Sequence, residues 1–319
     1  MTIFDKIYAY NRNPEISEWL QQQLETLISF GIYHNEIENI TAGLASQLAE
    51  YRTQHNIDNV VIGMSGGIDS AVTAALFKRA GYTVTGVTMP IHQNPEETDR
   101  GIEACRALGI EHIHADLTHH YDQLVDRMVA QDADIKGETH ADKVRRGNVR
   151  ARLRMITLYN LAGVKGGFVA STDNFSELAA GFWTLHGDVG DVAPIQSLTK
   201  SWEVPAMAEH LGVPESIIAA KPTDGLGIAN GDEDQFGFSY LAFDIVLMSL
   251  LQNPNNDEWL EGASEADLYI VSEVKKRIAG TTYKRLNPHN LQHPVHQLRY
   301  AYLEMLDNKL KGEYHNGYN

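Results

Sequence analysis

The sequence has few of the features that mark secreted, membrane or nucleic-acid-binding proteins. It contains a single cysteine, Cys105, so no disulfide forms within the chain, and this fits a reducing compartment. No run approaches the roughly 20 apolar residues needed to span a bilayer, and residues 1–11 carry charges and lack the apolar core of a signal peptide. We therefore expect a cytoplasmic protein with no membrane contact.

Basic residues are also scarce relative to acidic ones. The 319 residues include 26 Lys and Arg against 42 Asp and Glu, which gives a net charge of −16. An extended nucleic-acid footprint depends on Lys and Arg to neutralise phosphates, so we expect no nucleic-acid partner. The length is sufficient for a large core in one big domain or in two modest ones.

The most informative stretch is residues 60–70, VVIGMSGGIDS, which reads as a strand, a glycine-rich loop and the start of a helix. Its glycines permit close approach of a ligand, so backbone N–H groups can converge on an anion at the helix N-terminus. Ser65 and Ser70 add hydroxyl donors. Asp69 would repel a bound polyphosphate unless a divalent cation lay between them, which predicts Mg²⁺. The alternative is a plain glycine turn, although two serines and an aspartate exceed what a turn needs.

The rest of the chain alternates between two kinds of hydrophobic spacing. Helical spacing before the first strand predicts a helical leader over residues 1–55 that packs on the core. Residues 56–319 are expected to form the main domain, whose C-terminal part is helical. Strands alternate with helices after the glycine loop, at about residues 82–88, 112–116 and 167–171. This alternation predicts an α/β fold with a doubly wound parallel sheet, helices on both faces, and ligands at the carboxyl ends of the strands.

Three later segments carry candidate functional residues, each with a simpler alternative. Five arginines lie between residues 145 and 154, where they either form a solvated helix face or bind phosphates and carboxylates through their planar forks. Residues 171–188 begin where a strand should end, which favours a site, although Glu177 alone could be an exposed carboxylate. Taken singly, Lys200 is a surface lysine and residues 221–227 are a proline-glycine turn.

Together these segments resemble ammonia-dependent NAD synthetases. The Ser-Gly-Gly-x-Asp-Ser loop is similar to the pyrophosphate loop of the ATP pyrophosphatase family, and the resemblance covers about residues 15–290. The segments that carry it, in the family's order, are residues 65–70, 148–155, 171–188, 198–200, 222–223 and 284–285. The resemblance implies a Rossmann-like ATP pyrophosphatase fold. It also implies a ligase that adenylates the nicotinate carboxylate of deamido-NAD⁺ with Mg-ATP, after which ammonia displaces AMP to give NAD⁺; pyrophosphate is the other product.

The same resemblance implies roles for individual residues. The ATP-binding residues would be Gly63, Met64, Ser65, Gly66, Gly67, Ile68, Asp69, Ser70, Thr172, Lys200 and Thr223. Asp69 and Glu177 would hold the magnesium ion and, with Lys200, form the catalytic set. The residues facing deamido-NAD⁺ would be Arg152, Asp191, Tyr283 and Lys284. A homodimer is implied as well, with apolar helices after residue 236 as the surface that it buries.

Several positions depart from the family pattern on the acceptor side. The chain has Leu185 and His186 where the family has Lys and Tyr, one residue fewer before Asp191, and Tyr283 in place of a histidine. Two alternatives therefore stay open, an adenylating amidase or ligase that acts on a different carboxylate and a non-catalytic nucleotide-binding homologue. We expect ammonium rather than glutamine as the nitrogen source, because the leader is too short for a glutaminase domain and Cys105 reads as a small buried hydrophobe.

Overall fold

The computed structural model describes residues 2–31, 36–131, 137, 139–221, 233, 237–286 and 306. Three helices precede the first strand: α1 Ile3–Tyr10, α2 Glu18–Ser29 and α3 Ile37–His55. The alternating part comprises β1 Asn59–Gly63, α4 Ile68–Arg79, β2 Thr83–Thr88, α5 Pro95–Leu108, β3 Glu111–His114, α6 Thr118–Gln131, α7 His140–Lys165 and β4 Gly167–Val169. The described remainder contains α8 Phe175–Ala180, α9 Glu203–Leu211, α10 Glu215–Ile218, α11 Tyr240–Gln252, the 3₁₀ turn Glu258–Leu260, α12 Glu265–Gly280 and α13 Thr282–Arg285.

The four strands form one parallel sheet in the order β3-β2-β1-β4. In this register Val61 of β1 lies opposite Thr85 of β2 and Val169 of β4. The chain therefore moves outward from β1 through β2 to β3 and then crosses to the other side of β1. This is a doubly wound sheet whose switch point lies between β1 and β4. The predicted α/β fold is confirmed.

Both faces of the sheet are covered by helices, which explains why β1 is an uninterrupted apolar run. Val60 and Ile62 belong to the cluster beneath α3, α4, α5 and α9. Val61 points to the opposite face, where it joins a cluster that includes Tyr121 of α6 and Leu158 of α7. A strand buried on both faces needs apolar residues at every position rather than at alternate ones.

A third apolar cluster lies away from the sheet and is built mainly from helices. Trp19 and Leu24 of α2 pack with Phe243 and Val246 of α11, and Val274 of α12 belongs to the same cluster. The predicted leader therefore contacts two cores, because α3 packs on the sheet while α1 and α2 pack on the C-terminal helices. The domain boundary at residue 55 stays a prediction. Among the helices described, none is both long and apolar enough to cross a membrane.

Candidate functional site

The glycine loop lies at the carboxyl end of β1, beside the switch point of the sheet. The N-cap of α4 is Gly67, which supplies no side-chain cap, so the first N–H groups of the helix remain available to a ligand. The Gly67 N–H donates to Ser65 Oγ at 3.2 Å, and the buried Ser70 hydroxyl donates to Gly67 O at 2.9 Å. An open helix N-terminus beside hydroxyl groups is suited to phosphate.

The backbone of the loop is held from the side by α5 and the segment before it. Gly66 has a φ of +86°, and a Cβ there would lie 2.0 Å from the carbonyl oxygen of Glu97, so only glycine fits. Arg100 Nε donates to Gly66 O at 3.2 Å, and Gln93 Nε2 donates to Ser65 O at 3.2 Å. Sequence reasoning missed Gln93 and Arg100, and no local pattern pointed to them.

Two carboxylates meet beside this loop through a single asparagine. Asn174 is the N-cap of α8 and forms a capping box with Glu177, whose backbone N–H donates to Asn174 Oδ1 at 3.0 Å. Asn174 Nδ2 also donates to Asp69 Oδ1 at 3.0 Å. Asn174 therefore sets the spacing between a carboxylate on the first turn of α4 and one on the first turn of α8.

Lys200 closes this cluster from a third segment. Its Nζ donates to Glu177 Oε1 at 2.8 Å and to Asp69 Oδ2 at 3.1 Å. All three side chains are largely buried, with 10% of Lys200, 17% of Asp69 and 15% of Glu177 exposed. The structure thus brings the predicted catalytic set together. The two carboxylates converge on the Lys200 ammonium, and their hard oxygens, together with those of a bound phosphate, are the kind of donor set that fits Mg²⁺.

The segment that contains Lys200 is held by hydrogen bonds to residues of α11 and α8. The backbone N–H and hydroxyl of Ser201 donate to Asp244 Oδ2 at 2.9 and 2.6 Å. Ser176 Oγ accepts from the Lys200 N–H at 2.9 Å. Burial raises the pKa of the Asp244 carboxyl to about 6, although its hydrogen bonds from Ser176 and Ser201 act in the opposite direction. These contacts fix the backbone of Lys200, so only its side chain is left to move.

A cavity of about 680 Å³ opens from the loop toward α7 and α13. Its described wall includes the predicted residues Gly63 to Ser70, Thr172, Glu177, Lys200, Arg152, Tyr283 and Lys284. Asp191 lies outside this wall and is exposed; its carboxylate accepts from the Tyr159 hydroxyl at 2.7 Å and the Val169 N–H at 2.9 Å. Thr223 lies outside the described residues.

The end of the cavity away from the loop is built on residues 181–188. Lys284 Nζ donates to Gly181 O at 2.6 Å and to Trp183 O, and it lies 5.4 Å from the centre of the Trp183 ring. Burial lowers the pKa of Lys284. Arg152 Nε donates to Leu185 O at 3.2 Å. Arg152 and Lys284, the two basic residues predicted to face deamido-NAD⁺, are therefore both hydrogen-bonded to backbone carbonyls of residues 181–188.

Asp188 is a further acidic group in the cavity wall. Its Oδ2 accepts from the Thr184 N–H at 2.6 Å. Burial raises the pKa of this carboxyl, while the hydrogen bond from Thr184 and the charges of Arg154 and Lys284 act in the opposite direction. We call this end of the cavity, away from the glycine loop, the acceptor end. Its carboxyl group, Asp188, lies near three groups that favour the ionised form: the Thr184 N–H, Arg154 and Lys284.

The arginine-rich segment forms part of the 26-residue helix α7. Arg154 donates from Nε to Met89 O at 3.0 Å and from Nη2 to Gln93 Oε1 at 3.2 Å, which links α7 to the residue that holds the glycine loop. Arg145 pairs with Asp142 on the same helix. Arg145 therefore pairs within the helix, as the first interpretation of the segment predicts, whereas Arg152 and Arg154 line the cavity. Binding of phosphates or carboxylates by these two arginines stays a prediction.

Comparison with known proteins agrees with this geometry. The family model for NAD synthase matches residues 37–288. The chain belongs to the NAD synthase family. It is similar to the NH(3)-dependent NAD(+) synthetase of Finegoldia magna, with 38% identity over 204 residues that make up 63% of this chain and 80% of the relative. The enzyme of the same name from Methanocaldococcus jannaschii is 32% identical over 262 residues, which are 81% of this chain and 98% of the relative.

Two solved structures have a similar fold. The NH3-dependent NAD synthetase of Campylobacter jejuni matches with a TM-score of 0.63 and 28% identity, covering 80% of this chain and 99% of that one. An NMN synthetase from Francisella tularensis matches with a TM-score of 0.67 and 26% identity, covering 81% and 98%. The predicted family is confirmed, and the chain is an amide-forming ligase. The roles of individual site residues stay predictions.

Proposed function

We propose that this NAD synthase converts deamido-NAD⁺ and ammonia to NAD⁺ while ATP is cleaved to AMP and pyrophosphate. The observation that carries the proposal is the convergence of Asp69, Glu177 and Lys200 beside the open N-terminus of α4. The same cavity extends from this cluster to Arg152 and Lys284. The names of the curated relatives supply the nitrogen source and the product.

The loop end of the cavity is suited to the activation step. Backbone N–H groups of the loop and the hydroxyls of Ser65 and Ser70 would bind the phosphates, and Lys200 would neutralise part of their charge. Magnesium held by Asp69 and Glu177 would supply further positive charge there. The nicotinate carboxylate oxygen then bonds to the α-phosphorus as the bond to pyrophosphate breaks, which leaves a mixed anhydride with AMP.

The amide forms in a second step at the same carbon. The nitrogen of neutral ammonia bonds to the carbonyl carbon, the bond to the AMP oxygen breaks, and a proton leaves the nitrogen. Because ammonium must lose a proton first, the apparent ammonium requirement should fall as pH rises until groups of the enzyme begin to titrate. The reaction needs water excluded from the anhydride, and the low exposure of Asp69, Glu177 and Lys200 favours this at the loop end.

A second candidate substrate is nicotinate mononucleotide, the carboxylate that would give the product named for the Francisella relative. It is favoured by the acceptor end, where Arg152 and Lys284 already bind loop carbonyls and Asp191 lies outside the cavity wall. Because of these contacts, fewer charged groups remain to bind the second nucleotide of deamido-NAD⁺, which nicotinate mononucleotide lacks. Leu185 adds an apolar side chain where the family pattern has a lysine.

A product assay separates these possibilities. Purified protein with Mg-ATP and ammonium is supplied with either deamido-NAD⁺ or nicotinate mononucleotide, and AMP and the amide product are measured together. We expect amide formation from deamido-NAD⁺ at the higher kcat/KM. A preference for the mononucleotide would support the second candidate. AMP release with neither acceptor present would show that water attacks ATP in place of a carboxylate. The absence of AMP with both acceptors would contradict both candidate substrates and support either a different carboxylate or a non-catalytic nucleotide-binding homologue.

Glutamine is the second nitrogen source to test. The only cysteine, Cys105, is buried, and burial raises the pKa of its thiol to about 11, which disfavours the thiolate that a glutaminase nucleophile needs. We therefore expect this chain to use ammonium chloride and not ammonia-free glutamine, and Cys105→Ser to retain ammonium-dependent turnover. Efficient glutamine use by the parent that is lost in Cys105→Ser would contradict the proposed nitrogen source.

We also propose that the protein is a cytoplasmic homodimer. Among the helices after residue 236, α11 is mostly buried within the chain, but Leu268 and Tyr269 of α12 are 44% and 61% exposed and fit the surface expected from sequence. Ile156 and Val164 of α7 are 67% and 78% exposed and supply a second apolar surface. Light scattering should give a dimer, and Ile156→Glu should weaken it. A fully active monomer at the assay concentration would contradict this assignment.

A further inference from the structure

Lys200 occupies an unusual position for a phosphate-binding lysine. Its ammonium donates to one oxygen of Asp69 and one oxygen of Glu177, at 3.1 and 2.8 Å. It therefore sits at the convergence point of the two carboxylates proposed to bind the metal. The described part of the chain brings no third His, Cys, Asp or Glu into a cluster that could hold a metal ion there.

The ammonium and a divalent cation compete for the same lone pairs. A carboxylate oxygen that accepts a hydrogen bond from Lys200 has less capacity to coordinate a metal, and two cations at this separation repel strongly in a largely buried site. Asn174 Nδ2 takes up the other oxygen of Asp69 at 3.0 Å, and the Asn174 N–H donates to the other oxygen of Glu177 at 3.3 Å. Lys200 thus holds the one oxygen of each carboxylate that Asn174 does not bind.

Only the side chain of Lys200 is able to change partners. Its backbone N–H is bound to Ser176 Oγ, and the next residue is anchored to Asp244. The aliphatic stem and ammonium remain adjustable, with the Tyr240 ring 4.8 Å from Nζ as a further favourable neighbour. The open N-terminus of α4 begins one residue before Asp69, so phosphate bound there would offer the ammonium a new partner.

We propose that Lys200 acts as a built-in counter-ion for Asp69 and Glu177, and that it yields this pair to the divalent cation only when polyphosphate draws its ammonium away. The inference rests on the proposed function for the identity of the polyphosphate as ATP. It makes Lys200 a positioning residue for the metal as well as a phosphate ligand. Metal binding in the absence of polyphosphate is weak as a consequence, and metal and ATP bind with mutual enhancement.

The direct test measures Mn²⁺ binding without ATP, by electron paramagnetic resonance of the free ion, in the parent and in Lys200→Met. We expect the variant to bind Mn²⁺ at least about ten-fold more tightly, since its two carboxylates have lost their competitor. Inorganic triphosphate should tighten Mn²⁺ binding more in the parent than in the variant. Lys200→Arg, which keeps the charge, should retain the weak binding of the parent.

Lys165→Met is the matched control. Lys165 is also paired with a carboxylate, since its Nζ donates to both oxygens of Glu111 at 2.9 and 2.7 Å, and its loss changes the net charge by the same amount. We expect this variant to bind Mn²⁺ as the parent does. Adding Asp69→Asn to Lys200→Met should abolish the gain, which assigns the tight site to the carboxylate pair.

Equal Mn²⁺ affinity in the parent and Lys200→Met would overturn the inference, as would equal tightening in Lys165→Met. Thermal unfolding of each variant checks that the fold is retained, and Lys200→Gln replaces Lys200→Met if the methionine variant does not fold. The binding measurement needs no amide formation. A chain that gains Mn²⁺ affinity as expected but forms no amide would therefore refute the proposed function and leave the inference standing.

Discussion

The two ends of the cavity differ in what their charged groups already bind. At the loop end, Asp69, Glu177 and Lys200 bind one another and are largely buried. At the acceptor end, Arg152 and Lys284 bind backbone carbonyls of the neighbouring loop, and Tyr283 is 62% exposed. At the loop end, the charged side chains are thus positioned to interact directly with a bound ligand. The acceptor end must exchange contacts within the chain for contacts with its substrate, which makes its specificity less apparent from the residues alone.

The largest expected effect comes from removing a carboxylate at the loop end. Asp69→Asn and Glu177→Gln should each lower kcat by about 10²-fold or more, because each removes a charge that offsets polyphosphate. Turnover is measured at saturating magnesium, and thermal unfolding shows whether the fold survives. Asp257→Asn provides the control, since this aspartate is 76% exposed and pairs with Lys275 on the surface. Near-normal turnover in either site variant would remove that residue from the metal site.

Gly66 tests whether the loop end is as rigid as its contacts indicate. Gly66→Ala should lower the free energy of unfolding by about 2–4 kcal/mol and weaken ATP binding, because the new Cβ meets the Glu97 carbonyl as well as an unfavourable φ. Gly212→Ala shares the positive φ, at +72°, but its Cβ meets nothing within 4 Å. We expect about 1–2 kcal/mol there and unchanged ATP binding. Equal losses in the two variants would show that close packing against α5 is unimportant.

The same contrast explains what could be predicted from sequence. The sequence predicts Gly63 to Ser70 together because one strand, one loop and one helix turn contain all of them, so local pattern sets their geometry. The residues that hold the loop lie far away in the chain, with Arg100 34 positions from Gly66 and Asn174 105 positions from Asp69. Such pairs form only when the sheet assembles.

Asn174 is the supporting residue that a local signal could have revealed. Asn at the N-cap with Glu three positions later is a capping-box pattern, and it precedes the apolar start of α8. Asp244 offers no comparable signal, because it lies inside an apolar helix and its partner Ser201 is 43 residues away. The role of Asp191 rests on the family resemblance alone, across a position where this chain has one residue fewer, and it stays a prediction; in the structure its carboxylate accepts from the Val169 N–H.

A smaller effect is expected from the acceptor end. Lys284→Met removes hydrogen bonds from a charged group to Gly181 O and Trp183 O, interactions on the order of 1.5–3 kcal/mol, and should raise KM for the acceptor about ten-fold while KM for ATP stays constant. Lys276→Met on α12 is the control, since Lys276 is 75% exposed and pairs with Glu273. An equal rise in both KM values for Lys284→Met would mean that the two ends are not independent.

The smallest effect on turnover should come from Asp244, which supports the loop end without entering the cavity wall. In Asp244→Asn the side-chain carbonyl still accepts from Ser201, so we expect kcat at neutral pH to change by only a few-fold. The effect on stability is larger and depends on pH. Burial raises the Asp244 pKa from 3.8 in the unfolded chain to about 6, so the folded protein holds this proton more tightly.

The sign of the pH dependence follows from that difference in proton affinity. Between pH 4 and 6 the folded state binds more protons at Asp244 than the unfolded state does, so this group's stabilising contribution is full below pH 4 and is lost as pH rises through 6. A shift of this size corresponds to about 3 kcal/mol. Urea unfolding of the parent and Asp244→Asn at pH 4 to 7 isolates the group, because the other carboxylates cancel in the difference. The stability of the variant relative to the parent should rise by about that amount across the range. Parallel curves would mean that Asp244 stays ionised in the folded protein, held by the two Ser201 donors more strongly than burial disfavours its charge.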